Sequence, residues 1–201
     1  MLGKIRWILF DVSGVIVHFT FQNPEGYTVG TRFFDQKQLE GIVYTKEYDN
    51  YILGLISHEQ WVGKYLKNHH LDLSIAEFDE LMKKDIPPME GMESLIQKLE
   101  KKYKICIATN EGKMVTKYKI EGSGILPYLS KVIPSYLLRE TKPSPHFFKK
   151  MLKIIGATAD ECVFVDDKPE NINGARSLGI QSILFKDTKQ LEEEFVRLQI
   201  L

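Results

Sequence analysis

The spacing of apolar and polar residues divides the chain into three stretches. Residues 5–10 are a short, mostly apolar run of strand-forming side chains that stops at Asp11. From about His18 to Asp85 the apolar residues recur at helical spacing. Leu39, Ile42 and Val43 are followed by the polar Lys46, and Tyr48, Tyr51, Ile52 and Leu55 repeat the pattern. Ser57, with Glu59 and Gln60 after it, predicts a helix start before Trp61, and Ser74 caps the run SIAEFDELM. This middle stretch reads as an all-helical insertion, closed by the breaker Ile86-Pro87-Pro88.

Beyond Pro88 the period alternates. Helices are expected over 92–101, 111–119, 145–155 and 169–178, and strands over 103–108, 131–134, 161–165 and 180–185. Leu191, Phe195 and Leu198 mark a last amphipathic helix. Strands alternating with helices predict an α/β fold, a doubly wound, Rossmann-like parallel sheet with right-handed crossovers. The expected organisation is a core of residues 1–16 and 87–201 with a small helical cap, 17–86, inserted into it.

Ligands of such a sheet lie outside the carboxyl ends of its strands. Asp11 ends the first strand, Thr109 and Asn110 end the next, and Asp166 and Asp167 end a later one. Lys142 follows the short strand at 131–134. Carboxylates, a hydroxyl–amide pair and a lysine are thereby expected on one edge. A carboxylate can attack phosphorus and form an aspartyl-phosphate that water then cleaves. Anion attacking anion needs cations, and Mg²⁺ is commonly held by one or two carboxylates together with phosphate and waters. Asp11 and Asp166 can supply those carboxylates, and Lys142 can hold Asp11 and a phosphate oxygen together. Thr109 and the amides near Asn110, at a helix N-terminus, can donate to phosphate. Three acids, one lysine and a divalent cation sum to neutrality, so an incoming phosphate is not strongly repelled.

Composition narrows the partners. The 201 residues carry 27 basic and 27 acidic side chains, so no long-range attraction to nucleic acid or an anionic membrane is expected. No window approaches the roughly 18 apolar residues of a membrane span, and MLGKIRWILFD carries no leader-like apolar core with a cleavage site. The two cysteines, Cys106 and Cys162, sit in apolar strand-like runs, which fits buried thiols and a reducing cytoplasm. The five histidines show no metal-ligand spacing and read as surface or cap residues; the lysines at 98, 101, 102 and 104 read as a solvated face. Lys113 is a weaker candidate for phosphate, and Arg32 for a second anionic group. His18, Phe19, Phe21, Tyr27, Phe33 and Phe34 are placed near the cap's entrance. The expected partner is a small phosphorylated metabolite, with the protein a monomer or homodimer.

Four segments make the resemblance to a family specific: FDVSGV at 10–15, ATN at 108–110, TKPSP at 141–145 and FVDDKPENINGA at 164–175. In this order the chain resembles the haloacid dehalogenase superfamily over essentially its whole length. Among its members, it looks most like capped sugar-phosphate phosphatases of the glucose-1-phosphate phosphatase kind. The resemblance implies Asp11 as nucleophile and metal ligand and Ser13 as a further ligand through its backbone carbonyl. It also implies Thr109 as a phosphate donor, Lys142 as the charge clamp, Asp166 as a metal ligand, Asp167 as its acidic support and Asn171 as part of the frame.

One position departs from the pattern. Phosphatases of this family usually carry an aspartate two residues after the nucleophile, as general acid for the leaving group; here it is Ser13. General acid catalysis is worth roughly 10²–10⁴-fold, set against accelerations of up to about 10²¹-fold for phosphate monoester hydrolysis, so its loss slows such an enzyme without silencing it. The deficit is expected to be smallest for good leaving groups. Two rival readings follow from Ser13: a 2-haloacid dehalogenase that uses Asp11 on carbon, and a non-enzymatic relative that binds a phosphorylated ligand. Against the dehalogenase stands the pair Asp166-Asp167, an unneutralised cluster without a metal. Each feature alone also has a structural explanation: a turn at Asp11, a cap at Thr109-Asn110, a cap before Pro169, a solvated loop lysine at 142.

Overall fold

The computed structural model describes residues 5–19 and 21–201; residues 1–4 of the expected core and residue 20 of the expected cap lie outside the described residues. Strand β1, Trp7–Phe10, is buried at every position. It is followed by β2 (Tyr27–Val29), β3 (Arg32–Phe34), α1 (Gln36–Glu40), α2 (Lys46–Ile52), α3 (His58–Asn68) and α4 (Ile75–Lys84). The alternating part comprises α5 (Met92–Leu99), β4 (Lys104–Thr109), α6 (Lys113–Gly122), β5 (Lys131–Pro134), α7 (Ser135–Leu138), α8 (Pro145–Ile155), β6 (Cys162–Asp166), α9 (Pro169–Arg176), β7 (Gln181–Leu184) and α10 (Thr188–Arg197).

The main sheet has the order β5-β4-β1-β6-β7, and every pairing is parallel. Parallel strands buried on both faces read as continuous apolar runs, which is how WILF, KICIAT and CVFVD are written. The period-2 alternation separates two cores. Ile8, Phe10, Ile105, Ile107, Val163 and Val165 face one way, toward α5, α6 and α10. Trp7, Leu9, Cys106, Ala108, Cys162 and Phe164 face the other, toward α7, α8 and α9. Both cysteines are free and buried there, and burial raises both thiols, Cys162 to about 12.

The segment between β1 and α5 departs from the all-helical expectation. Helices α3 and α4 begin where predicted, each under a capping box, Ser57 with Gln60 and Ser74 with Glu77. Ahead of them, however, β2 and β3 pair as an antiparallel hairpin, with Val29 opposite Arg32 and Gly30 at φ +62° in the turn. Tyr27 and Phe34 turn their rings into the core that α4 also covers. β-Branched and aromatic residues either side of a glycine turn are hairpin chemistry, and here they override the helical spacing further along. Arg32 is held by Glu77 and Asp72 within this segment and therefore serves it structurally. His58, expected at the surface, is buried at the start of α3 and pairs with Asp79 at 2.7 Å. Among the described residues no helix is long and apolar enough to cross a membrane.

Candidate active site

Asp11 is the residue after β1, buried at the strand's carboxyl end, with its amide bonded to the Val165 carbonyl of β6. Asp166 is the last residue of β6. These two neighbouring strands set the two carboxylates side by side. Lys142 comes from the loop between α7 and α8 and reaches between them. Its Nζ lies 2.9 Å from Asp11 Oδ1 and 2.6 Å from Asp166 Oδ2. Asn110, just past β4, locks that loop: its amide nitrogen donates to the Lys142 carbonyl and its oxygen accepts from the Lys142 amide, both at 2.8 Å. Gly174 in α9 lets the same loop approach, because a Cβ there would stand 2.3 Å from the Pro143 carbonyl oxygen.

Asn171, on the first turns of α9, donates to both oxygens of Asp166 at 3.0 and 3.1 Å, and the Lys168 amide donates to Oδ1 at 2.9 Å. Asp167 sits against Gly14, whose φ is +79° and where a Cβ would stand 2.6 Å from the Asp167 carboxylate. Asp11, Asp166 and Asp167 bring one oxygen each within 4.8 Å of one another.

The charges do not balance. Burial works to lower the Lys142 pKa, but Asp11 and Asp166 outweigh it and hold the lysine charged. Burial raises Asp166; the lysine opposes this and Asp11 reinforces it. Asp167 is pushed up to about 6 by burial and then by repulsion from Asp11 and Asp166. Asp11 Oδ1 has Lys142 at 2.9 Å, whereas Asp167 Oδ1 is buried and finds no hydrogen-bond partner among the described residues. Buried carboxylate oxygens without donors are costly. Clustered hard oxygens with excess negative charge fit a divalent cation such as Mg²⁺, and a soft-ligand metal would not select them.

These residues open on a cavity of about 490 Å³ lined by Asp11, Ser13, Thr109, Asn110, Lys142 and Asn171 among others. Thus all of these sequence-predicted site residues meet in one place. Asp167 joins through the acidic cluster rather than the cavity wall. Two expectations change in detail. The Asn110 side chain is engaged by the Lys142 backbone. The first amides of α6, those of Met114 and Val115, donate to the Tyr51 hydroxyl at 2.9 and 3.3 Å, so a tyrosine of α2 caps that helix. Lys113 is exposed and is not part of the cavity wall.

A second polar cluster on the same wall was not foreseen. Ser13 donates to Glu111 at 3.1 Å and accepts from Lys119 at 2.7 Å; Lys119 also pairs with Glu111, and Tyr48 of α2 donates to Glu111 at 3.2 Å. Glu111 and Lys119 are both buried. The sequence does carry a signal: 111, 115 and 119 share one helical face, and Val115 between the charges is apolar.

The sequence model of the haloacid dehalogenase-like hydrolases matches residues 8–185. The chain belongs to that family. Flavin mononucleotide hydrolase 1 of Arabidopsis thaliana is 26% identical over 200 residues, covering 98% of this chain and 79% of that one. The D-ribitol-5-phosphate phosphatase of Bacteroides thetaiotaomicron is 31% identical over 90 residues, 42% of this chain and 44% of its own length. A family enzyme from the same bacterium, solved in complex with magnesium and inorganic phosphate, superposes with a TM-score of 0.70 at 20% identity, covering 92% of this chain and 96% of that one. The fold seen here is that of this haloacid dehalogenase-like hydrolase.

Proposed function

We propose that this hydrolase cleaves small phosphate monoesters, sugar-phosphate-like in size, through an aspartyl-phosphate on Asp11, with Mg²⁺ as cofactor. The observation that carries the reading is the unbalanced acidic cluster at the sheet's carboxyl edge, three carboxylates around one buried lysine, with Asp167 Oδ1 lacking a donor among the described residues. The relatives named for flavin mononucleotide and ribitol 5-phosphate, and the neighbour crystallised with magnesium and phosphate, support it.

Asp11 and Asp166 would hold the cation, with the Ser13 carbonyl, and Asp167 would add charge behind them. When bound, the cation neutralises the phosphate and orients it toward Asp11. Asp11 Oδ attacks phosphorus, and the electron pair of the breaking P–O bond leaves on the ester oxygen. Lys142 keeps its proton, pairs with Asp11 and steadies the phosphoryl oxygens. Thr109, buried at the end of β4 next to β1, would donate to a phosphoryl oxygen. Asn110 acts through Lys142, and Asn171 fixes the Asp166 carboxylate. Water then attacks the aspartyl-phosphate and frees Asp11. We read the chain as a core of 1–16 and 87–201 with a cap, 17–86, that closes the cavity and excludes water.

Dehalogenation of a 2-haloacid is the rival that Ser13 leaves open. Asp166 and Asp167 stand against it, because they would repel the substrate's own carboxylate. The test is phosphate release from an ester panel, aryl phosphate, glucose 1-phosphate and glucose 6-phosphate, with and without Mg²⁺, for wild type and Asp11→Asn. Turnover that needs both Mg²⁺ and Asp11 is expected. Halide release from a 2-haloacid without Mg²⁺, and no phosphate release, would overturn the proposal.

A further inference from the structure

Beside the acidic cluster the cavity carries a second charge pair, and the phosphoryl chemistry described above does not use it. Lys119 and Glu111 are buried to 5% and 4% exposure, bonded to each other and both bonded to Ser13, two residues from the nucleophile. Burying such a pair carries a desolvation cost of several kcal/mol per ion. A purely structural role would be met as well by apolar side chains of similar volume. Here the pair instead faces the ligand cavity, and Tyr48 of α2 adds a third polar contact to Glu111.

We propose that Lys119 and Ser13 form the leaving-group device of this enzyme, with Glu111 and Tyr48 as positioning residues; this rests on the phosphatase reading and names what meets the departing oxygen. Phosphate and cation occupy the Asp11, Lys142 and Asp166 side, so the ester oxygen points toward the Ser13 side. As Asp11 Oδ bonds to phosphorus and the P–O bond breaks, the electron pair collects on that oxygen. The Ser13 hydroxyl turns from Glu111 and donates to it. The Lys119 ammonium, which donates to Ser13 Oγ at 2.7 Å, polarises that hydroxyl. Lys119 keeps its protons throughout. The alkoxide takes its proton from solvent water, and the proton released when water cleaves the aspartyl-phosphate makes good that loss. Glu111 holds Lys119 in place, and Tyr48 holds Glu111.

Such a device works on charge that exists only in the transition state, so it matters most for poor leaving groups. The experiment is a leaving-group series, from nitrophenyl phosphate through phenyl phosphate to an alkyl phosphate, read as the slope of log kcat/KM against leaving-group pKa. Lys119→Met is expected to lower kcat/KM by about 10²-fold on the alkyl ester and only about 3-fold on the nitrophenyl ester, steepening the slope. Ser13→Ala should steepen it in the same way, and Ser13→Thr, which keeps the hydroxyl, should restore it. Should Lys119→Met leave Glu111 unpaired and the protein unfolded, the double variant Lys119→Met with Glu111→Gln removes both charges and must show the same steepening. An equal loss on all esters, or an unchanged slope, would overturn the proposal while leaving the phosphatase reading intact. Wild-type protein without turnover on nitrophenyl phosphate would instead sink the phosphatase reading itself.

Discussion

Two buried lysines face the same cavity, and they are treated differently. Lys119 has one carboxylate, Glu111, and one hydroxyl, so its cluster is neutral and closed by hydrogen bonds. Lys142 meets two carboxylates, with a third acid beside them whose Oδ1 has no donor among the described residues. The balanced cluster is complete as it stands. The unbalanced one carries excess negative charge that a cation would offset, which supports placing the proposed chemistry there. The difference turns on one acid: a carboxylate at position 13 would have made both clusters acidic, whereas Ser13 leaves the second one neutral.

The largest effect is expected at Asp11. Asp11→Asn should remove turnover by at least about 10⁴-fold, measured as phosphate release, because the proposed covalent nucleophile has no substitute. Lys142→Met comes next. It leaves buried Asp11 and Asp166 without their cation, and urea denaturation in the absence of metal should show a loss of roughly 3–5 kcal/mol. The same measurement on Lys119→Met with Glu111→Gln should show a much smaller loss, since that pair is removed as a neutral unit. Asn171→Ala is gentler still. It frees Asp166 to rotate, and Mg²⁺ affinity measured by calorimetry should weaken by roughly 10-fold.

The smallest effect is on pH. Asp167 stands at about 6 in the fold against an ordinary 3.8, so the metal-free fold prefers its protonated form. Its contribution is therefore full below about pH 4 and lost as pH rises through about 6. Metal-free protein should melt roughly 2–4 °C lower at pH 7 than at pH 5, and Asp167→Asn should flatten that difference. Added Mg²⁺ should reverse the trend, because a cation favours the carboxylate.

Much of this was written plainly in the sequence. Apolar strands that end in Asp11, Thr109 and Asp166 show both the sheet and its active edge, because a parallel strand tolerates a charge only where it leaves the core. Pro145 and the residues after it gave α8 its observed limits. The hairpin β2–β3 was hidden because its strands are three residues each, too short for alternation to outweigh the helical spacing beyond them. Glu111 and Lys119 were hidden for another reason. Their partners, Ser13 and Tyr48, come from other segments, and charged residues just before a helix or in its last turn ordinarily face solvent. The shared face with Val115 hints that they point inward, and the contacts of Tyr48 and Tyr51 of α2 show it. His58 was misplaced in the same way, since Asp79 of α4 is its partner.

The proposed intermediate is a covalent phosphoryl group on Asp11. Borohydride reduction of protein quenched during turnover of an aryl phosphate, followed by peptide mass spectrometry, tests it most directly. The account predicts that the peptide containing Asp11 carries the alcohol formed by reducing an acyl phosphate, only when substrate and Mg²⁺ are both present. Steady phosphate release with Asp11 unreduced, or with the reduced carboxyl at Asp166 or Asp167, would contradict it.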